Sequence, residues 1–274
     1  MLLRMIHAGR PLKRWRYVGL FAEQLMACAA LVQVGPARQS FWALYERGER
    51  HLRERTRLLP RAAALRLWPG LPGRGERGRR LEPGRVRLRD GGVELDLRLE
   101  EEEGIQALCT HGGGLVWTRK QAGVAARGTF ALDGGRPREL TALAVIDDTA
   151  GYHARHTEWW WTAGVGVSSD GLATAWNLVR GVNDPPTGSE RAVWVAGAAH
   201  EAPPVSFAAD LSSISCEDGS SIDFHAEAER SRRENLLTAS SDYRAPFGTF
   251  SGTLPGRIPL AHGLGVCEHH RARW

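Results

Sequence analysis

Short runs rich in Val, Thr, Trp, Phe and Leu recur through this chain between Gly, Pro, Asp and Asn, at intervals of roughly 10–20 residues, while long apolar patterns of period 3.6 are scarce. That rhythm restricts the chain to an all-β fold. It predicts strands over 15–21, 25–34 and 40–46, with a turn at Gly35-Pro36, and over 85–89 and 93–100, joined by Asp90-Gly91-Gly92. Further strands are expected over 115–118, 128–132, 140–147, 158–167, 173–179, 191–195, 222–229, 235–240 and 263–269. A single open sheet of so many strands would strain under its own twist and leave long edges, so antiparallel β-barrels, as two barrel-like units side by side, are the expected solution. The pattern is interrupted over 100–104 and at Gly112-Gly113-Gly114, which suggests an N-terminal unit over 1–110 and a C-terminal unit over 111–274. Residues 51–80 mix Arg, Pro and Gly with little alternation and read as a loop, most clearly over 69–78. No internal sequence repeat is visible.

At 274 residues the chain buries a core without staples. Its cysteines, Cys28, Cys109, Cys216 and Cys267, form no Cys-x-x-Cys pair and suggest neither zinc nor a disulfide framework, so a cytoplasmic location is expected. Residues 1–17 are arginine-rich and unlike a signal peptide, and no apolar stretch approaches the roughly 20 residues of a membrane-spanning helix. Residues 1–100 carry 21 Lys and Arg against 10 Asp and Glu, and residues 101–274 carry 15 against 21. The basic excess between Arg47 and Arg89 is read first as a solvated loop and second as a contact for an anionic membrane surface. Aromatic residues do not interleave with it, so nucleic acid is not an expected partner.

Alternation sends Trp159 and Trp161 to one face of their strand and Trp160 to the other, so both faces must be covered. The residues either pack a core or wall a cavity for an apolar ligand, with Trp117 and Trp176 extending the wall. Polar residues gather nearby at Asp147, Asp148, Tyr152, His153, His156 and Glu158, then at Asn177, Asn183, Asp184, Glu190 and Arg191. His153-x-x-His156 beside acids has metal-ligand chemistry but matches no closed zinc spacing, so no metal and no cofactor is called for. Asp223, His225, Glu227 and Glu229 alternate onto one face, which is either solvated or lines a polar cavity. A carboxyl buried among aromatics is pushed toward neutrality and serves as a general acid. Phosphate-loop, serine-elbow and zincin signatures are missing, and Cys267 beside His269 is discounted as a nucleophile and base because neighbours in a strand face opposite ways.

The stretches Val116-Trp117-Thr118-Arg119-Lys120-Gln121, Val145-Ile146-Asp147-Asp148-Thr149-Ala150-Gly151-Tyr152-His153, Trp161-Thr162-Ala163-Gly164-Val165-Gly166, Asn177-Leu178-Val179-Arg180-Gly181-Val182-Asn183-Asp184 and Ser241-Asp242-Tyr243-Arg244-Ala245-Pro246-Phe247-Gly248 occur in one order, before a terminal Gly263-Leu264-Gly265-Val266-Cys267-Glu268-His269-His270. Together they resemble the bacterial domain-of-unknown-function 2804 family over 15–274, with Cys267 where the family carries Met. That family is in turn distantly similar to the lipocalin-like hydroxyneurosporene synthase and tocopherol cyclase type of protein. The resemblance implies lipocalin-like β-barrels around a hydrophobic cavity for isoprenoid or lipid-like molecules. It carries no established activity, because a fold does not grant chemistry.

The candidate site therefore has Trp117, Trp159, Trp161 and Trp176 as its wall, with Asn183, Arg230, Asp242 and Tyr243 as further ligand contacts. Lys120, Asp148, His153 and Glu227 are the catalytic candidates, a protonated Asp148 or Glu227 donating to an alkene while tryptophan faces stabilise the cation. The expected partner is a hydrophobic small molecule, bound or converted by acid-assisted hydration or cyclisation. A noncatalytic lipid-handling module and a purely structural β-protein remain the alternatives.

Overall fold

A computed structural model describes residues 3–58, 64–72, 84–236 and 239–273. Among these, strand is the only regular structure, and no helix is long and apolar enough to cross a membrane. A short hairpin, β1 (Ile6–His7) and β2 (Arg10–Pro11), precedes two large antiparallel sheets. The first holds β3 (Lys13–Ala22), β4 (Leu25–Val34), β5 (Ala37–Glu46), β6 (His51–Leu58), β7 (Leu65–Trp68), β8 (Gly84–Asp90), β9 (Val93–Leu99), β10 (Ile105–His111), β11 (Gly114–Leu132) and β12 (Arg138–Gly151). The second holds β13 (His156–Ser168), β14 (Ala173–Arg180), β15 (Ala192–Val195), β16 (Ala198–Glu201), β17 (Val205–Phe207), β18 (Ser213–Cys216), β19 (Ser221–Leu236), β20 (Ala239–Leu254) and β21 (Ile258–Arg273).

The strand orders are β6-β5-β4-β3-β12-β11-β9-β8-β7, with β10 beside β11, and β16-β15-β14-β13-β21-β20-β19-β18-β17. Both sheets follow one plan. Each starts at its centre, meanders outward through four strands, then returns from the other edge until its last strand pairs with its first. The sequence shows no trace of this repeat, because topology depends on strand order rather than on residue identity. The sheets part between Gly151 and His156, whereas the interruption near 110 lies within the first: β11 and β12 are hydrogen-bonded to β9 and β3. The glycine run there makes only the β10–β11 hairpin turn.

Each sheet curls until its ends meet. Trp42 and Leu44 of β5 share a core with Leu65 and Leu67 of β7 and Val86 and Leu88 of β8. Arg55 and Arg57 of β6 bind Asp90 at the end of β8, at 3.0 and 2.6 Å. In the second sheet Trp176 and Val193 pack with Val205, Ile214 and Ile222 in the same way. These are half-barrels of the kind the strand rhythm predicts, with the lipocalin-like build that the family resemblance implies. A third core lies between the two curls, where Tyr17, Phe21 and Met26 meet Trp161, Val165 and Trp194. The central strands are therefore covered on both faces.

Residues 51–58, read as loop, instead form the edge strand β6. Its Arg and Glu side chains face solvent and ion-pair partners, so the apolar alternation that betrays a strand is lacking. Residues 65–68 are likewise strand; 69–72 lie outside any strand, and 73–78 fall outside the described residues. The strands expected over 115–118 and 128–132 are one long β11, bulged at Gly123. The strand expected over 235–240 spans the end of β19 and the start of β20, with 237–238 outside the described residues.

Candidate functional site

The bulge at Gly123 decides what β11 presents to the space between the sheets. Ala122 pairs with Val145 and Val124 with Ala144, so the even-numbered residues change face across Gly123, whose φ is +77°. Val124 and Ala126 point into the first curl, while Lys120 points toward the second sheet. Lys120 stands beside its cross-strand partner Asp147, whose own partner on β3 is Tyr17. One residue along, Arg119, Asp148 and Arg16 form the same three-strand row on the opposite face.

A cavity of about 160 Å³, open on one side, lies between the sheets. From the first sheet it is walled by Lys13, Trp15 and Tyr17, alternate residues of β3, by Val32 of β4 and by Phe41 of β5. From the second it is walled by Trp159 and Trp161 of β13, Tyr243 of β20, and Glu268 and His270 of β21. Glu268 is directly opposite Trp161 in the ladder, and His270 opposite Trp159.

Two polar groups stand on these walls. In the first, Lys120 Nζ lies 2.8 Å from Asp147 and 3.1 Å from Glu190. Burial opposes the ammonium charge, but the two carboxylates outweigh it and hold the Lys120 proton. Burial raises Glu190, which also accepts from Asn183 Nδ2 at 2.9 Å. The Trp15 indole donates to Asp147 at 3.0 Å. In the second group, the Trp159 indole donates to Glu268 Oε1 at 2.9 Å. Burial pushes the Glu268 carboxyl up to about 7, and the part of it left uncovered faces the cavity. His270 Nε2 lies 2.8 Å from Ser241 Oγ, and burial lowers the ring to about 3. Nearby, His153 tilts against Trp15, is kept neutral by burial, and has an Nε2 atom without a hydrogen-bond partner among the described residues.

Six of the twelve sequence candidates thus meet at the cavity: Lys120, His153, Trp159, Trp161, Asn183 and Tyr243. Arg230 borders it, stacked 4.2 Å from Phe41 and 4.8 Å from Tyr243 and paired with Glu54 at 3.0 Å. The other five lie elsewhere. Asp148 is locked at 2.7 and 2.6 Å by Arg16 and Arg119, which also bind Glu101, inside the first curl. Glu227 clasps Arg47 of the other sheet at 2.7 Å. Asp242 pairs with Arg233 at the surface. Trp176 sits in the second curl, and Trp117, on the face of β11 that carries Arg119 rather than Lys120, donates to Gln106 away from the cavity. Sequence reasoning passed over Lys13, Trp15, Tyr17, Glu190, Glu268 and His270 as site residues. The period-2 pattern of β3 and β21 was the available signal, but it could not say which face would be lined by the other sheet. His153 is buried and His156 exposed, so that pair does not converge.

Two curled antiparallel sheets enclosing an aromatic cavity define a protein of the lipocalin-like class. The chain belongs to the family described as domain of unknown function (DUF2804), whose model matches residues 6–274. No curated protein matches its sequence. In structure it resembles an AttH-like protein of Nitrosomonas europaea, with 12% identity, a TM-score of 0.52 and coverage of 98% of this chain and 96% of the other. Kievitone hydratase from Nectria haematococca has 12% identity, a TM-score of 0.53 and coverage of 94% and 88%. CghA has 8% identity, a TM-score of 0.52 and coverage of 96% and 88%. At such identities the likeness establishes the fold alone.

Proposed function

We propose that the cavity binds a hydrophobic small molecule of isoprenoid or lipid-like character and that Glu268 acts on it as a general acid, in hydration or cyclisation. One observation carries the reading: the carboxyl on the cavity wall titrates near neutrality while standing against two tryptophans. A neutral carboxyl near pH 7 delivers a proton to an alkene carbon, and the ionised form then recovers one from an attacking water or from the cyclised cation. Trp159 and Trp161 both wall the cavity, and a cation held against the π-cloud of either would be stabilised. A hydratase among the structural neighbours is in keeping with this chemistry without assigning it. The role given to Asp148 or Glu227 in the sequence reading passes to Glu268, because both of those carboxylates are tied to arginine. A volume near 160 Å³ is comparable to cavities that take a single benzene ring, so one ring or a prenyl end is enclosed and a longer tail leaves through the open side.

A membrane-peripheral role draws little support from the described part of the basic stretch, since Arg53, Arg55, Arg57, Arg85 and Arg87 all pair with Asp133, Asp90 or Asp96. The test is native mass spectrometry of protein purified from its own host, followed by organic extraction. A released isoprenoid or acyl compound that Glu268→Gln still binds but no longer converts supports the reading. A mass without ligand, persisting after incubation with host lipid extract, refutes it.

A further inference from the structure

Beside the cavity is a second, smaller chamber of about 20 Å³. Tyr17, Phe41, Tyr243 and Glu268 line both spaces. Three strands lead from one space to the other by alternate residues: Ala30 of β4 faces the cavity and Cys28 the chamber, Tyr243 of β20 is followed by Ala245, and Glu268 of β21 is preceded by Val266. Glu268 therefore stands at the junction, with the aromatic cavity on one side and the chamber on the other.

The chamber has the volume of a single water site, and such a site needs polar partners. Most polar side chains of the chamber are engaged already. Tyr17 and Cys28 bond to each other, while Arg230 holds Thr56 at 2.8 Å and Glu54 at 3.0 Å. Tyr243 differs from them, because its hydroxyl is buried with no hydrogen-bond partner among the described residues. A buried hydroxyl left unpaired is costly, and a water bridging it to the Glu268 carboxyl satisfies it.

We infer that the chamber holds the water that adds to the ligand, with Glu268 serving both spaces and Tyr243 positioning the water. The inference rests on the cavity reading above and selects hydration over cyclisation. The Glu268 proton passes to one alkene carbon, and the π pair that forms the new C–H bond leaves a cation on the other. A lone pair of the chamber water attacks that cation and forms the C–O bond, and the surplus proton of the resulting oxonium returns to Glu268. One alkene and one water give one alcohol, the carboxyl is restored, and no oxidant or reductant is needed.

A crystal structure of the unaltered full chain, at a resolution that orders water, reads the site directly. The expected result is a water oxygen within hydrogen-bond distance of both the Glu268 carboxyl and the Tyr243 hydroxyl. Ala245→Val adds methyl groups to the chamber from a residue that does not line the cavity, and valine suits a strand, so its crystal should lack that water. Host lipid extract is then incubated with each protein in oxygen-18 water. The unaltered chain should yield an alcohol that exceeds its precursor by one molecule of heavy water. Ala245→Val should bind the same precursor in native mass spectra yet form the alcohol about a hundredfold more slowly, the scale expected for a misplaced reactant. Tyr243→Phe should lower kcat and leave KM nearly unchanged; a raised KM at constant kcat would remove Tyr243 from the positioning role. The readings on the unaltered chain keep the test valid if a variant fails to fold. A chamber without water, a product isomeric with its precursor, or equal rates with Ala245→Val overturns the water site and leaves the cavity reading standing. Bound ligand without any product overturns the water site together with the acid role of Glu268. Neither bound ligand nor product overturns the cavity reading as well.

Discussion

The indole nitrogen of Trp159 and the carboxylate of Glu268, 109 positions apart in sequence, meet at 2.9 Å on the cavity wall. The bond favours the ionised carboxylate against the burial that opposes it. Trp159→Phe keeps most of the ring packing and removes the donor. Glu268 should then titrate higher than in the unaltered protein, as read from its carboxyl stretch by infrared spectroscopy. An unchanged titration would mean that the indole does not hold the charge.

Glu268 also makes stability depend on pH in a stated direction. Its folded value near 7 lies above the usual 4.5, so the folded state holds the proton more tightly than the unfolded chain. That contribution is complete below about pH 4.5 and is lost as pH rises through 7. Glu268→Gln should therefore gain on the parent between pH 5 and pH 8, by roughly 3 kcal/mol in the limit of the full shift. Urea unfolding at both pH values checks this, and parallel behaviour of the two proteins would remove Glu268 as the source.

Asp148 is a structural anchor, buried with Arg16 and Arg119 in the first curl. Asp148→Asn leaves Glu101 alone to balance two buried guanidinium groups, which costs about 3–5 kcal/mol. The clasp between Glu227 and Arg47, whose side chains keep 17% and 20% of their surface in solvent, is partly screened and worth less, about 1 kcal/mol. Chemical denaturation should show the large loss for Asp148→Asn and the small one for Glu227→Gln. Equal losses would contradict the assignment.

Gly164 lies at the centre of the second sheet, where a Cβ would run into the Trp176 ring and sit 2.6 Å from the Leu264 carbonyl oxygen. Trp176 is fully buried. Gly164→Ala should cost about 1–3 kcal/mol through overpacking, measured as a lowered midpoint of thermal unfolding. A neutral effect would show that the ring has room to shift.

The all-β class, most strand positions and the sharing of faces within unbulged stretches were legible in the sequence, but the alternation expected to put Asp223, His225, Glu227 and Glu229 on one face breaks at the β19 bulge between Ala226 and Ala228, which period-2 reading cannot foresee. Trp159 and Trp161 do share a face with Trp160 opposite, because a strand has period 2 whatever surrounds it. Strand β6 was missed because its polar side chains ion-pair at an edge and leave no apolar alternation to read.

The sequence by itself determined which residues are neighbours on a face; the tertiary structure decided which face is the site. Asp147 and Asp148 look interchangeable in the chain, yet one lines the cavity and the other is sealed in the first curl. Both faces of the central strands are apolar, one toward its own curl and one toward the other sheet, so hydrophobic pattern cannot separate them. The bulge at Gly123, the curl of each sheet and the approach of β21 to β13 settle that choice. They bring Glu268, Lys13 and Trp159 together from distant strands, and only the packing of one sheet on the other specifies that meeting.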